Sequence, residues 1–161
     1  MQLRETTVTS ADAVRLLTDY FESRELGFPT NQGVYRVTFP PPEHFVPPAG
    51  VFLIVETDDG EAVGCGGIRR IADGPGVNGA NTVRFEVKHV WTEPQARGLG
   101  YAGLLMADLE ARAVAFGADE LVLDTNASLT SAARLYARLG YHSIEPYNDN
   151  PNATNWYAKA L

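Results

Sequence analysis

A glycine-rich stretch that follows a long apolar strand is the part of the sequence best suited to hold a ligand. It reads Glu93-Pro94-Gln95-Ala96-Arg97-Gly98-Leu99-Gly100-Tyr101-Ala102-Gly103. Glycines let the main chain approach a ligand closely and leave several amide N–H groups pointing outward. The helix that begins there adds a partial positive charge, and Arg97 at its rim offers a direct charge contact. These features together predict an anion site suited to a phosphate or a diphosphate.

The same glycines fit two other interpretations. Residues 98–103 satisfy the dinucleotide fingerprint G-x-G-x-x-G, and Asp124 follows at about the distance expected of a ribose-binding acid. Two observations argue against a nicotinamide-dependent oxidoreductase. Five residues separate the strand from the glycines, and too few residues follow Gly103 for two mononucleotide-binding halves. The remaining alternative is a tight turn without a ligand. An NTPase phosphate loop is excluded because no Gly-Lys-Ser/Thr follows.

The elements around this stretch are predicted from periodicity and from turn residues. A helix follows the Thr9-Ser10 cap, and further helices are predicted over 98–116 and 131–139. The predicted strands are 2–8, 51–55, 62–71, 83–91, 121–123, 141–145 and 154–161. A strand meander followed by alternating strands and helices predicts a mixed sheet with helices on its faces.

Composition narrows the class of protein. The chain has 161 residues, 45% of them hydrophobic and 20% charged, which suits one domain over residues 1–161. A formal net charge of −7 argues against nucleic acid as a partner, because phosphates would be repelled. The single cysteine, the absence of a signal-like N-terminus and the absence of a long apolar run favour a cytoplasmic protein without a membrane span. The scattered histidines and Cys65 make no metal-ligand spacing.

Four features in order carry a resemblance to a known family. Gln95 to Gly100 matches the acetyl-CoA signature Q/R-x-x-G-x-G/A, with Pro94 just ahead of it; helix 98–116 leads into strand 121–123. Residues 132–141 resemble A-x-x-L-Y-x-x-x-G-F/Y, and residues 156–161 resemble a closing strand. The sequence therefore resembles the GNAT superfamily of N-acetyltransferases. The resemblance implies an α/β (α+β) GNAT fold, a mixed central sheet of about 6–7 strands with helices on both faces, and acetyl-CoA as cosubstrate.

The resemblance also implies which residues contact acetyl-CoA. Backbone groups of the strand would bind the pantetheine arm, and main-chain amides of residues 97–102 would hold the diphosphate. Leu129 stands where many members carry a CoA-contacting asparagine, and Asn126 is either its replacement or an ordinary turn residue. The expected coenzyme-binding residues are Val90, Trp91, Thr92, Gln95, Arg97, Gly98, Leu99, Gly100, Tyr101, Ala102 and Asn126.

Glu86 is the expected general base, since an ammonium must lose a proton before it can attack. Strict alternation along strand 83–91 places Arg84, Glu86 and Lys88 on one face and Phe85, Val87, His89 and Trp91 on the other. The family often places a glutamate on this strand toward the acceptor. The alternative for Glu86 is an ion pair on a solvated face, and the histidines at 89 and 142 are weaker candidates.

Tyr136 is the expected general acid, which the resemblance places near the sulfur of CoA. A phenol there can donate to the leaving thiolate, while the thioester oxygen would meet the amide of Val90 or Thr92. The alternative for Tyr136 is a core side chain on an amphipathic helix.

The acceptor is expected to bind near a polar loop at residues 147–152, together with Tyr35, Arg36 and Phe45; an ordinary surface loop is the alternative. A free amino acid, a polyamine or other amine metabolite, an amine antibiotic and a protein terminus all remain open. The partners expected are acetyl-CoA and this amine, with a homodimer left open. A non-catalytic acyl-CoA sensor of the same fold is the main rival function.

Overall fold

The computed structural model describes residues 1–75 and 81–161. Its helices are α1 (Ala11–Leu26), α2 (Tyr101–Ala115) and α3 (Thr130–Arg138), and short 3-10 turns cover Thr30–Gln32, Pro42–Phe45 and Pro94–Ala96. Its strands are β1 (Gln2–Thr6), β2 (Gly50–Glu56), β3 (Ala62–Arg70), β4 (Gly74–Pro75), β5 (Asn81–Thr82), β6 (Arg84–Thr92), β7 (Glu120–Thr125), β8 (His142–Ile144) and β9 (Asn155–Ala160).

One mixed sheet organises the described part of the chain. Its seven strands lie in the order β1-β2-β3-β6-β7-β9-β8, and β4 pairs with β5 separately. All neighbours in the large sheet are antiparallel except β6 and β7, which are parallel. The connection between these two parallel strands contains α2, as a crossover requires. The prediction of a mixed sheet of 6–7 strands with helices on both faces is confirmed.

Each face of the sheet carries its own apolar cluster. On one face, α1 packs Leu16, Leu17 and Phe21 against β2 and β3, and the Ser10 side chain caps the helix by accepting from the Ala13 amide at 3.3 Å. On the other face, α2 and α3 pack against alternate residues of the same strands, including Leu105 and Tyr136. Strand β2 is buried along its whole length because both of its faces are covered.

A β-bulge in the middle of β6 corrects the predicted alternation. Gly67 of β3 pairs with Lys88 and Cys65 pairs with Trp91, so two β6 residues lie opposite Gly66 alone. His89, one of these two residues, has φ 57°. The extra residue reverses the alternation, so the prediction that His89 and Trp91 share the face of Phe85 and Val87 is wrong. His89 and Trp91 instead face α1, where both lie against Tyr20.

Helix α2 begins at Tyr101, three residues later than predicted. Gly98 and Gly100 have φ of 80° and 84°, in the left-handed region, so neither residue can belong to the right-handed helix. At the other end, Gly117 follows the helix with φ 84°, as its predicted capping role requires.

In the described ranges, no helix is long and apolar enough to cross a membrane. The same ranges contain no group of three or more His, Cys, Asp and Glu side chains able to hold a metal ion.

Candidate active site

An opening in the sheet separates the ends of β6 and β7. Their parallel pairing runs from Arg84 with Glu120 to Glu86 with Val122 and then stops. Beyond that point the bulge carries β6 away from β7. A groove of about 680 Å³ lies beside the diverging end of β6 and reaches the glycine loop and α3. We call it the glycine-loop groove. It is lined in part by Val90, Trp91, Thr92, Arg97, Gly98, Gly100, Tyr101, Ala102, Leu129 and Tyr136.

The glycine loop is open and presents unused donors. A Cβ atom built on Gly98 or Gly100 would meet no heavy atom within 4 Å. No described carbonyl or side chain accepts a hydrogen bond from the amides of residues 98–102. The Arg97 amide differs from its prediction, because it donates to the Pro94 carbonyl at 3.3 Å. Five consecutive N–H groups, at and just before the start of a 15-residue helix, are thus available to donate hydrogen bonds to an anion such as a phosphate.

Eight of the expected coenzyme-binding residues line this groove, and three do not. Gln95 is exposed and its side-chain amide donates to Glu93, while Leu99 is 61% exposed. Asn126 is buried, and its amide donates to Gln32 Oε1 at 2.7 Å and to the Asn152 carbonyl at 3.1 Å. Its Oδ1 accepts from the Ser128 amide at 3.0 Å. These contacts support the turn interpretation of Asn126.

Arg97 lies at the rim of the groove. Its guanidinium stacks over the Trp91 ring at 4.8 Å from the centroid, and its Nε donates to the Thr92 carbonyl at 3.3 Å. Both contacts hold the positive charge beside the glycine loop, where it adds to the positive potential of the helix N-terminus.

A second, smaller cavity of about 310 Å³ lies next to the groove, on the α1 face of the sheet. We call it the small cavity. Its walls include Tyr35, Arg36 and Phe45, which the sequence predicts near the acceptor, and three asparagines of the 147–152 loop: Asn148, Asn150 and Asn152. The two cavities share Tyr20, Arg24, Val90, Leu129, Ala132 and Tyr136. A molecule in one cavity can therefore contact a molecule in the other beside Val90 and Tyr136.

Tyr136 lies on α3 at this junction. Its side chain is 7% exposed and packs against the rings of Tyr141 and Tyr157, at 5.9 and 6.3 Å. Burial, together with the nearby Asp124 carboxylate and partly offset by Arg24, raises the pKa of Tyr136 to about 12. The phenol therefore keeps its proton at neutral pH. Its aromatic packing fits the core interpretation, while its place at the junction also suits a donor to a reacting group.

Glu86 is held in a network of hydrogen bonds behind the wall of the small cavity. It is 1% exposed, and its Oε2 accepts from Arg69 Nε at 2.8 Å and Nη2 at 2.7 Å. Its Oε1 accepts from the Tyr147 hydroxyl at 3.0 Å and lies 3.6 Å from Lys88 Nζ. Glu86 does not line the cavity itself. These contacts fit the ion-pair interpretation, although the pair is buried and not solvated.

Asp124 is the acidic side chain among the described residues that line the small cavity, and the sequence reasoning did not assign it to an acceptor site. Its carboxylate accepts from Asn148 Nδ2 at 2.7 Å and lies 3.4 Å from Lys88 Nζ. The sequence did contain a signal, because Asp124 follows the buried run Leu121–Leu123. In an open sheet, residues that follow parallel strands at the point where the sheet opens are the ones that meet ligands.

Arg24 is a second cavity residue that the sequence reasoning did not identify. It continues the apolar face of α1 by helical spacing after Leu17 and Phe21, and an arginine in that position is buried with the face. Its guanidinium lies 5.4 Å from the centroid of the Tyr35 ring and lines both cavities.

His89 also lines the small cavity, among the rings of Tyr20, Phe21 and Phe45. Burial, together with the charges of Lys88 and Arg69, lowers its pKa to about 3. Its Nδ1 has no hydrogen-bond partner in the described part of the chain. A histidine that stays neutral across the physiological range is a weak base, which agrees with its lower rank among the candidates.

Known proteins resemble the chain in sequence. A family model described as the acetyltransferase (GNAT) family matches residues 13–141. An N-acetyltransferase of Schizosaccharomyces pombe, named as uncharacterized, is 32% identical over 111 residues, which make up 69% of this chain and 63% of that protein. The chain thus matches less than two thirds of the length of this relative.

Solved structures resemble the chain in fold. A Klebsiella pneumoniae protein assigned to the acyl-CoA N-acyltransferases superposes with a TM-score of 0.73 at 26% identity, over 99% of this chain and 97% of that one. A GNAT family acetyltransferase from Elizabethkingia anophelis, solved with acetyl-CoA bound, gives a TM-score of 0.66 at 16% identity, over 99% and 97% of the two chains.

Proposed function

The chain belongs to the acetyltransferase (GNAT) family, and from that premise we propose that it transfers an acetyl group from acetyl-CoA directly to a primary amine. The family relationship confirms the resemblance predicted from the glycine loop and the Tyr136 segment. One observation carries the proposal: the glycine-loop groove and the small cavity meet beside Val90 and Tyr136. Acetyl-CoA in the groove and an amine in the cavity would form a ternary complex, and proximity would supply much of the acceleration.

Acetyl-CoA, the cosubstrate of this family, suits the groove. Its diphosphate would accept hydrogen bonds from the amides of residues 98–102, and Arg97 would add a charge contact. The pantetheine arm would then lie along the end of β6 that has separated from β7. This direction brings the thioester toward Val90 and Tyr136.

Asp124 is our candidate for the group that receives the proton of the ammonium. An aliphatic ammonium has a pKa near 10 and no lone pair, so it must lose a proton before the nitrogen can attack the carbonyl carbon. The Asp124 carboxylate faces the cavity, whereas Glu86 lies behind it and holds Arg69 and Lys88 in place. Glu86 as the base remains the alternative, acting through the groups that bridge it to the cavity.

Tyr136 is proposed to stabilise the leaving thiolate. When nitrogen attacks, the carbonyl oxygen becomes anionic and would accept a hydrogen bond from a β6 amide at Val90 or Thr92. The carbon–sulfur bond then breaks with its electron pair on sulfur, the second proton of nitrogen passes to sulfur, and Asp124 releases the first proton to solvent. Because a phenol of pKa about 12 is a weaker acid than a thiol near 8.5, Tyr136 acts mainly by donating a hydrogen bond to sulfur.

A panel of primary amines incubated with acetyl-CoA tests the proposal. The enzyme is expected to release free CoA thiol with at least one amine class and to form the matching N-acetyl product. Acetyl-CoA binding without thiol release from any amine would instead support the sensor alternative, which the leucine at position 129 favours. Calorimetry with NAD(H) and acetyl-CoA completes the test. Tight binding of the dinucleotide and none of the thioester would contradict the proposal.

A further inference from the structure

The small cavity is rich in positive charge, although the chain has a formal net charge of −7. Four basic side chains line it, whereas Asp124 is its acidic member among the described residues. The basic residues are Arg24, Arg36, Arg69 and Lys88. This local excess of positive charge is opposite in sign to the net charge of the whole molecule, so its explanation must lie in the cavity itself.

Two of these cations have counter-ions inside the protein. Arg69 Nη2 lies 2.7 Å from Glu86, and Lys88 Nζ lies 3.4 Å from Asp124 and 3.6 Å from Glu86. Glu86 therefore pairs with Arg69, and Lys88 is shared between Glu86 and Asp124. Neither carboxylate forms a salt bridge with the other two cations of the cavity.

Arg24 and Arg36 form no salt bridge within residues 1–75 and 81–161. Arg24 is 6% exposed and rests against the ring of Tyr35. A buried charge is costly unless it is paired, and a guanidinium presents a planar fork that matches carboxylate and phosphate oxygens. This cost applies to the buried Arg24, and the exposed Arg36 adds a second guanidinium at the wall of the cavity, so an anion that enters from outside could meet both.

We propose that the acceptor is a small zwitterion, whose primary amine is acetylated and whose carboxylate or phosphate is bound by Arg24 and Arg36. This inference rests on the function proposed above. Asp124 would hold the ammonium end and the two arginines the anionic end, so the cavity matches both charges of the acceptor. A polyamine would bring several positive charges toward Arg24, Arg36 and Lys88 and would be repelled.

The remaining walls describe the rest of the acceptor. Aromatic rings surround the cavity: Tyr20, Phe21, Tyr35, Phe39 and Phe45. A volume of about 310 Å³ suits a small metabolite and not a folded protein surface. Among amino acids, those with apolar side chains are therefore expected to be acetylated best.

Matched pairs of amines test the inference, because each pair differs in the anionic group alone. Suitable pairs are phenylalanine with 2-phenylethylamine, leucine with 3-methylbutylamine, and O-phosphoethanolamine with ethanolamine. Release of CoA thiol gives kcat/KM for each compound. The anionic member is expected to exceed its partner by about 10- to 100-fold, the usual value of a hydrogen bond to a charged group. The first two pairs and the third show whether carboxylate or phosphate is preferred. Equal or higher kcat/KM for the members that lack the anionic group would overturn the inference while leaving acetyl transfer intact.

Charge-removing variants place the effect in the cavity. Arg36→Gln is expected to lower kcat/KM for the preferred anionic amine about 10-fold, with no change for the paired amine that lacks the anionic group or in the KM of acetyl-CoA. Arg24→Gln should give the same loss for the amine. Arg134→Gln removes the same charge from an exposed residue of α3 that lines neither cavity, so it should behave like the wild type. An equal loss for both members of a pair in Arg36→Gln would contradict the assignment.

Binding separates the failure of this inference from the failure of the proposed function. If no compound releases thiol, acetyl transfer to such amines is contradicted, and calorimetry on protein saturated with CoA decides the inference. Heat from an anionic member that disappears in Arg36→Gln would support it. No binding of any anionic member, or binding that survives in Arg36→Gln, would overturn it.

Discussion

At the scale of single residues, the position of Tyr136 leads to a testable prediction about its role in the reaction. Tyr136→Phe removes one oxygen and leaves the aromatic packing against Tyr141 and Tyr157 in place. Since the phenol is proposed to donate to a thiolate, kcat should fall about 100-fold. Acetyl-CoA affinity should change little. Steady-state kinetics with calorimetry measures both quantities, and unchanged kcat would remove Tyr136 from the mechanism.

The two carboxylates near the small cavity should respond differently to the loss of charge. Asp124→Asn is expected to lower kcat by about 100-fold, because no carboxylate then faces the ammonium. Glu86→Gln should instead lower the free energy of unfolding by about 3 kcal/mol, because Arg69 and Lys88 lose a buried counter-ion. Denaturant unfolding and turnover of both variants distinguish the roles. Full stability with lost turnover in Glu86→Gln would return Glu86 to the place of the base.

The sequence predicted the positions of residues whose backbone conformation follows from local chemistry, and their binding roles stay predictions. Gly98 and Gly100 both line the groove, as expected. The sequence reasoning missed Arg24, Arg69 and Asp124 because their roles come from α1, β3 and β7 meeting at one cavity. It also could not foresee that Asn126 bonds to Gln32, 94 residues away.

At the scale of elements, the glycine loop joins β6 to α2 through two residues with positive φ. Gly100→Glu places a strained backbone and a negative side chain beside the proposed diphosphate, so acetyl-CoA binding should be lost. Calorimetry measures the affinity directly.

Gly117→Glu is the matched control for this change. Gly117 has the same φ of 84°, and a Cβ there also meets no atom within 4 Å. Both variants should lose about 1–2 kcal/mol of stability from backbone strain, but acetyl-CoA affinity should fall in Gly100→Glu alone. Equal affinity in the two variants would contradict the placement of the diphosphate.

The bulge in β6 makes stability depend on pH through His89. Its pKa is lowered to about 3 by burial, so the unfolded chain binds a proton near pH 6.5 while the folded chain does not. The stabilising contribution is present above pH 6.5 and is lost as the pH falls toward 3. His89→Asn keeps a residue that tolerates positive φ, and its melting temperature should fall less between pH 7 and pH 4. Parallel curves for the two proteins would exclude this role.

Element boundaries show the same limit of local prediction. The seven strands of the large sheet were predicted to within a few residues, because apolar runs and turn residues mark them directly, whereas the short strands β4 and β5 were not predicted. The bulge was not predicted either, since a residue at positive φ in a strand leaves no periodic signal. As a result, the predicted faces were right for Phe85 and Val87 and wrong for His89 and Trp91.

At the scale of the whole molecule, ligand binding should be visible as added stability. A ligand at 100 times its Kd stabilises the folded state by about 2.7 kcal/mol. For a domain of this size, that corresponds to a rise in melting temperature of roughly 5–10 °C. Acetyl-CoA should produce this rise, and NAD(H) should produce none. A thermal melt with each compound measures the difference, and the reverse order of effects would favour the dinucleotide interpretation.

The mixed character of the sheet followed from the order of its elements, whereas the order of its strands and the occupant of the cavity did not. A meander, then a single parallel pair, then a closing hairpin is a pattern that short-range sequence features can encode. The charge of the small cavity depends on side chains from α1, the 30–48 segment and three strands. The combined charge of these side chains at one cavity is therefore visible only in the folded structure.

The bulge at His89 also divides β6 into two parts with different surroundings. Up to Glu86, β6 is an inner strand paired with β3 and β7, so substitutions there are expected to affect the stability of the fold. After the bulge, the same strand borders the glycine-loop groove, so its next residues are available to contact a molecule that binds there. Because of this one extra residue, substitutions after the bulge can change the contacts to a ligand while the paired part of the strand before the bulge stays the same.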